Sequence, residues 1–284
     1  MSRRNRDRTG GPRRSNAKAP AAPTQQAEAF SFVVPTDFVD LPSEGRYYPE
    51  NHPLHNKDVL EIKHMTAKEE DILTSKTLLK KGIAIDRVIE NVIVDKSIDP
   101  SSLLVGDRNA IVIALRAASY GSRYETKVVC PSCQTKVEFA FNLEEPNIYS
   151  GDDTSAIDIA RNEDGTFDVE LPATKIMATF RLLTARDEKT YLNNLEQDKK
   201  SKSGEKVVTR QLMTMLVAAN GDDRIETRRY VAQNLPSMDS RHLRLAYKMV
   251  NPNIDLTQDF ECSSCGFEEQ MEVPLGADFF WPDR

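Results

Sequence analysis

Two Cys-x-x-Cys pairs, far apart in the chain, constrain the fold more than any other feature of the sequence. Cys130 and Cys133 form the first pair, Cys262 and Cys265 form the second, and 128 residues lie between the pairs. A Cys-x-x-Cys turn can direct both sulfurs at one metal ion, and two such turns supply the four thiolates of a tetrahedral Zn²⁺ site. The spacing therefore predicts that these cysteines bind one structural zinc ion per chain, as a split zinc ribbon.

Other uses of the cysteines fit the pattern less well. A thioredoxin-like redox site needs one such pair on a βα unit, and neither pair has that context. Two internal disulfides would require an oxidising compartment, but no apolar stretch of a secretory signal follows the basic N-terminus. Four thiolates leave no open position on the metal for water or substrate, so we expect a structural ion rather than a catalytic one.

If the pairs meet, the residues between them form an insertion whose ends lie together. Closing a long loop costs an entropy that grows only as about (3/2)RT ln n, so the length of the insertion is no obstacle. We therefore expect an α+β fold: a helical layer joined to a split four-cysteine zinc ribbon of small antiparallel strands, with a large α/β insertion between the knuckles. The predicted segments are a disordered basic tail (1–29), an extended anchoring segment (30–58), a core with the ribbon (59–145 and 252–284) and a mainly helical insertion (146–251).

Local patterns predict where several elements begin. Apolar and polar residues alternate over 59–65, which predicts a half-buried strand. A capping box of Thr66 and Glu69 then begins a helix that extends to Gly82, and Thr184 with Asp187 caps another.

Further helices follow from apolar periodicity. We expect Asp107 to cap a helix that ends at Gly121. The apolar stretch 207–220 predicts one helix, and 237–250 predicts another that opens with a Ser/Asp cap.

Charge is distributed unevenly along the chain. The first 20 residues carry a net charge of +6, with Arg3, Arg4, Arg13 and Arg14 among the cations, whereas the whole chain has −6. This composition predicts a flexible tail that either improves solubility or binds an acidic partner or nucleic acid. Acidic residues flank the second cysteine pair, so we expect nucleic acid to bind only through residues 1–20 and not through the folded body.

The end of the chain carries an aromatic cluster, Phe279, Phe280 and Trp281. Such a cluster either packs on its own core or anchors a partner protein. His52 and His55 have a spacing that a metal could use, but an exposed loop fits them better. We find no P-loop, GxGxxG, G-x-S-x-G or H-E-x-x-H motif and no apolar run near the roughly 20 residues of a membrane span, so neither an enzyme nor a membrane protein is expected.

Taken together, five stretches resemble the baseplate hub family of T-even-like contractile-tail bacteriophages. These stretches are VDLPSEGRYYPE, LEIKHMTAKEEDIL, IDRVIENVIVD, LLVGDRNAIVIALRAASYGSRYETKVVCPSC and IDLTQDFECSSCGFEEQMEVPLGADFFWPD. The resemblance covers roughly residues 35–284 and leaves the basic tail outside.

The resemblance implies a non-enzymatic role in building the central hub of the tail baseplate. Its zinc-ligand cysteines correspond to Cys130, Cys133, Cys262 and Cys265, and it supplies no catalytic residues. Its implied partners are other tail or baseplate hub proteins, and its implied locations are the host cytoplasm during assembly and the virion baseplate. The chain would be either a virion component or an assembly factor that leaves, a chaperone. The alternative function is a zinc-ribbon nucleic-acid-binding or regulatory protein that uses the Arg-rich tail.

Overall fold

Helices and small antiparallel sheets make up the part of the chain that the computed structural model describes: residues 32–144, 146–152, 155–201, 206–274 and 277–280. The strands are β1 Thr36–Asp40, β2 Val59–Lys63, β3 Arg123–Val129, β4 Lys136–Asn142, β5 Asn147–Tyr149, β6 Ile159–Arg161, β7 Thr166–Glu170, β8 Met177–Arg181, β9 Leu216–Ala219, β10 Asn253–Asp255, β11 Thr257–Glu261 and β12 Glu268–Glu272. The helices are α1 Ala67–Thr74, α2 Lys76–Lys80, α3 Ala84–Val92, α4 Val105–Tyr120, α5 Ala185–Lys200, α6 Val207–Met215, α7 Ile225–Asn234 and α8 Ser237–Val250, with short 3₁₀ turns at Pro100–Ser102 and Ala277–Phe280. The α+β class is therefore confirmed.

Every sheet among the described residues is antiparallel, and four of the five have two strands. β6, β7, β8 and β9 form a four-stranded sheet in that order. The two-stranded sheets pair β1 with β2, β3 with β4, β5 with β10, and β11 with β12. The β3–β4 and β11–β12 hairpins are the ones that carry the cysteines at their turns.

The two predicted capping boxes are confirmed, because each depends only on residues close in sequence. The backbone amide of Thr66 donates to the Glu69 carboxylate at 2.9 Å, and the amide of Thr184 donates to Asp187 at the same distance. The first helix ends earlier than expected. Ser75 has an extended backbone, with φ −67° and ψ 105°, so two short helices replace the one that was predicted to run to Gly82.

The prediction that Asp107 caps α4 is wrong, since α4 begins two residues earlier and Asp107 lies in its first turn. The Asp107 carboxylate is fully buried and accepts hydrogen bonds from the Ser43 amide (3.0 Å), the Ser43 hydroxyl (2.6 Å) and the Tyr48 hydroxyl (2.7 Å). The Tyr48 oxygen accepts in turn from the backbone amide of Leu104, directly before the helix, at 3.0 Å. A long-range network thus fixes the start of α4 and ties the segment near Ser43 to the helical layer.

The helix predicted over 207–220 is correct only in its first part. α6 ends at Met215, and the next four residues form β9, which pairs with β8 through Ala219 opposite Ala178. An apolar sequence suits both a buried helix and a buried strand, and here the open edge of β8 decides between them.

The helix predicted over 237–250 is confirmed as α8, but its Ser/Asp cap is wrong. Pro236 stands at the N-cap position and makes no side-chain cap bond. Asp239 instead accepts hydrogen bonds from the amides of Ala173 (2.8 Å) and Thr174 (2.9 Å), which lie in the turn between β7 and β8. The carboxylate therefore joins α8 to the four-stranded sheet.

The described elements from β1 onward share one hydrophobic core and form one compact unit. Close backbone contact helps to hold the helical layer against β10: a Cβ atom on Gly106 of α4 would lie 2.0 Å from the carbonyl oxygen of Pro252. The predicted segment boundaries within this unit stay predictions. The predicted tail 1–29 lies outside the described residues.

Candidate metal centre

The turn of the β3–β4 hairpin holds the first cysteine pair in a tight backbone knuckle. The amide of Cys130 donates to the carbonyl of Thr135 at 3.0 Å, and the amide of Gln134 donates back to the carbonyl of Cys130 at 2.9 Å. These two bonds close the turn so that the sulfurs of Cys130 and Cys133 lie on the same side.

The β11–β12 hairpin repeats this arrangement with the second pair. The amide of Cys262 donates to the Phe267 carbonyl at 2.8 Å, and the amide of Gly266 donates to the Cys262 carbonyl at 2.9 Å. Gly266 has φ +68°, and Gln134 at the equivalent position of the first knuckle has φ +59°. Gly266 thus supplies the positive φ that such a turn needs, which glycine adopts without steric cost.

The two knuckles face each other and bring the four sulfur atoms within 4.8 Å of one another. The sulfurs of Cys130 and Cys265 are 3.8 Å apart, as are those of Cys133 and Cys262. A disulfide would need about 2.05 Å, so all four are free thiols. With zinc–sulfur bonds of about 2.3 Å, a tetrahedron has sulfur–sulfur edges of about 3.8 Å, so this donor set fits a zinc ion. The prediction that the distant pairs meet is confirmed.

The site lies at the edge of the core and differs in exposure from one sulfur to the next. Cys130 and Cys262 are buried, whereas Cys133 and Cys265 reach the surface. Hydrogen bonds from the side chain and the amide of Thr135 lower the pKa of Cys133 to about 6. The Phe267 amide acts to lower the pKa of Cys265, but desolvation and the neighbouring sulfurs outweigh it and raise this pKa to about 12. Because thiolates are the metal-binding form, metal binding would release protons here.

Two contacts join the hairpins along their strands. The ring of Phe139 on β4 packs edge-on against the ring of Phe260 on β11, with centroids 5.2 Å apart. The Gln258 side chain accepts from the amide of Asn142 at 2.9 Å and donates to the Asn142 carbonyl. The side-chain amide thereby makes the pair of hydrogen bonds that a neighbouring strand would make to this backbone residue.

The outer surface of the second hairpin is acidic, as expected from the sequence. Its exposed carboxylates are Asp259, Glu261, Glu268, Glu269 and Glu272. Glu261 stands directly opposite Glu268 across the strand pair, so two like charges face each other. The first hairpin instead pairs Lys127 with Glu138 at 3.6 Å. Phosphate groups would be repelled from the second hairpin.

The end of the described chain packs beside the first hairpin. Phe279 and Phe280 are 1% and 3% exposed, and the Phe279 ring meets the Tyr124 ring edge-on at 5.0 Å. In this position neither ring is accessible to a partner, which favours the alternative in which the cluster packs on its own core. Trp281 lies outside the described residues.

A buried arginine, which belongs to none of the sequence motifs, holds this terminal turn. Arg116 on α4 donates from Nε to the carbonyl of Phe279 at 2.7 Å and from Nη1 to the carbonyl of Gly121 at 2.9 Å. Its guanidinium lies over the rings of Tyr120 and Tyr124, and burial lowers its pKa. The sequence feature that could have identified Arg116 is a cation within the apolar stretch of α4.

The remaining predicted site residues lie elsewhere. His52 bonds Ser102 at 2.8 Å, and His55 bonds the carbonyl of Tyr48 at 2.7 Å. Within the described ranges, the four cysteines are the only cluster of potential metal ligands. Arg3, Arg4, Arg13 and Arg14 fall outside those ranges.

A family model described as T4 bacteriophage base plate protein matches residues 37–281, most of the chain. The chain belongs to this base plate protein family. The match contains both hairpins and all four cysteines, and it confirms the resemblance found over roughly residues 35–284. No curated protein and no solved structure matches the chain.

Membership of the base plate family makes the chain a structural phage protein of the tail baseplate, with other phage tail proteins as its partners. No helix in the described ranges has both the length and the apolar character needed to cross a membrane.

Proposed function

We propose that this base plate protein is a non-enzymatic scaffold of the baseplate hub, and that one zinc ion stabilises it. Cys130, Cys133, Cys262 and Cys265 would bind the ion and so join two hairpins that are more than a hundred residues apart in sequence. The observation that carries the proposal is the sulfur geometry: four free thiols on two facing knuckles, with edges that fit a zinc–sulfur tetrahedron. The hub itself is inferred from the resemblance of the sequence.

Four thiolates support a structural role for the ion. Catalytic zinc sites keep three protein ligands and leave the fourth position to water or substrate, whereas a complete set of four cysteines fills the coordination sphere. Metal affinity then contributes to folding free energy, because the unfolded chain does not hold its ligands together. A scaffold gains from such a site, since both hairpins keep a fixed geometry when neighbouring proteins bind.

The metal part of the proposal is tested by metal analysis of the pure protein. We expect one zinc per chain, and we expect Cys262→Ser to lower the zinc content and destabilise the fold. Ser264→Ala, in the same knuckle, is the matched control and should retain zinc. Protein without zinc, together with cysteine variants of unchanged stability, would contradict the metal site.

The hub part is tested in the assembling phage. We expect the protein to be present in the host cytoplasm during assembly and to co-purify with other tail proteins. Detecting it in baseplate precursors but not in mature particles would indicate an assembly chaperone, whereas detecting it in both would indicate a virion component. DNA binding that weakens steeply with salt and is lost on deleting residues 1–20 would instead favour the nucleic-acid-binding alternative. Absence of the protein from both precursors and particles would refute the scaffold.

A further inference from the structure

An apolar groove lies between α8 and the turn that joins β7 to β8. It has a volume of about 430 Å³, in the lower part of the range of roughly 300–1,000 Å³ that ligand pockets occupy. Its lining consists of Pro172, Ser237, Met238, Arg241, His242 and Leu245. Met238 is 65% exposed and Leu245 is also exposed, so two large apolar side chains of one helix face remain uncovered.

The rim of this groove is cationic. Arg241 is exposed and His242 half-buried, and both lie one turn after Met238 on the same face of α8. The acidic residue of this helix, Asp239, is buried, bonded to Thr174 and close enough to His242 to interact with it electrostatically, so Arg241 is the cation that the rim presents to solvent. The groove therefore suits an apolar side chain that has carboxylates beside it.

The outer face of the β1–β2 sheet presents such a side chain. Phe38 is 70% exposed, while Val39 and Leu60 on the opposite face are buried. Glu61 stands directly across from Phe38 in the strand pairing, and Asp40 is two residues along β1. Because alternate residues of a strand share a face, both carboxylates flank the Phe38 ring.

The same face continues into a second apolar residue and ends in a cation. Val59, which is also exposed, lies opposite Asp40, and Lys63 lies opposite Thr36 at the far end of the pair. The centre of the face is thus apolar with two carboxylates, and it is uncovered. Apolar side chains that remain uncovered on a sheet face are surfaces that proteins normally cover by association.

We propose that the outer β1–β2 face of one copy docks into the α8 groove of a second copy, with Phe38 between Met238 and Leu245 and the flanking carboxylates toward Arg241. The apolar shape and the charge of the two surfaces are complementary. Phe38 is too exposed to occupy the groove of its own chain, so the contact is between molecules. The two surfaces are different, so the interface is heterologous and repeats head to tail, which produces rings or open chains.

A head-to-tail contact gives a sharp test by sedimentation velocity of the full chain over a concentration series. The wild type should form species larger than a dimer as its concentration rises. Phe38→Ser removes the docking ring, and Met238→Glu places a carboxylate in the groove. Each variant alone should weaken self-association by about tenfold or more, as for a central interface residue.

The decisive sample is an equimolar mixture of these two variants. The Phe38→Ser variant keeps the α8 groove, and the Met238→Glu variant keeps the Phe38 side chain. Together the two variants retain one productive interface, so they should form a discrete 1:1 dimer. Tyr230→Ser, a change at an equally exposed aromatic residue (69%), and Leu192→Glu on α5 are the matched controls and should associate like the wild type. Thermal unfolding of each variant checks that the fold is kept.

Three results would overturn the proposal. A wild type that is monomeric throughout shows that these surfaces do not bind each other and leaves them to other tail proteins. Single variants that associate like the wild type show that the interface lies elsewhere. A mixture that stays monomeric, although each variant has lost self-association, shows that the two surfaces do not face one another.

Discussion

The two knuckles carry different residues at one equivalent position, and this difference predicts how substitutions there change the free energy of unfolding. Gly266 in the second knuckle and Gln134 in the first both have a left-handed backbone, with φ +68° and +59°. No atom lies within 4 Å of where a Cβ on Gly266 would stand. A side chain at this position would therefore meet no steric obstacle, and any cost arises from the backbone conformation alone.

Gly266→Gln places in the second knuckle the residue that the first already carries. A side chain in the left-handed conformation costs about 1–2 kcal/mol. The lower entropy of the unfolded chain returns about 0.4–1 kcal/mol of this. We expect the free energy of unfolding to fall by about 1 kcal/mol, although this substitution changes none of the four cysteines.

Gln134→Gly is the reciprocal change, and it should have almost no effect. It relieves the same strain of about 1–2 kcal/mol, but it adds about 0.5–1 kcal/mol of unfolded-state entropy. It also removes an exposed hydrogen bond from the Gln134 amide to the Pro131 carbonyl, at 3.0 Å. These contributions nearly cancel, so Gln134→Gly should leave the free energy of unfolding almost unchanged, whereas Gly266→Gln should lower it.

Equilibrium unfolding in guanidinium chloride, with zinc present at a fixed concentration, measures both changes. Ser264→Gln is the matched control, because this exposed residue of the same turn is not among the described residues with positive φ. If Gly266→Gln proves as stable as the wild type, or if the two reciprocal changes cost the same, the left-handed backbone at residue 266 does not limit the stability of the knuckle.

Two further changes test the contacts at the start of α4. Tyr48→Phe removes a hydroxyl that donates to the buried Asp107 carboxylate and accepts from the Leu104 amide. We expect it to lower the free energy of unfolding in denaturant by about 1.5–3 kcal/mol, and an unchanged unfolding midpoint would refute the network. Gly106→Ala favours the helix by about 1 kcal/mol, but its Cβ would lie 2.0 Å from the Pro252 carbonyl oxygen. We therefore expect a lower melting temperature in calorimetry, and a higher one would show that α4 and β10 separate easily.

Features that depend on neighbouring residues could be predicted from the sequence. The capping boxes at Thr66 and Thr184 need only a partner three residues away, and both form. The Cys-x-x-Cys turns likewise have a local geometry that their spacing determines. Since a tetrahedral site needs all four sulfurs, that local geometry also predicted one contact between segments more than a hundred residues apart in sequence.

Features decided by distant partners could not be predicted in this way. Asp107 has the right residue type for a helix cap, yet its carboxylate binds Ser43 and Tyr48, more than fifty residues away. Leu216–Ala219 continues an apolar helix in sequence but becomes a strand because β8 offers an edge to pair with. α7 was not predicted, because its few buried residues give it a weak apolar pattern.

The distance between the cysteine pairs also affects the order of events during synthesis. Cys130 and Cys133 leave the ribosome long before Cys262 and Cys265, and at roughly 5–20 residues per second the delay is on the order of ten seconds. During that interval the site has only two of its four sulfurs. A polypeptide released before Cys265 cannot complete the cluster, so only chains that are translated beyond this residue can form the four-sulfur centre.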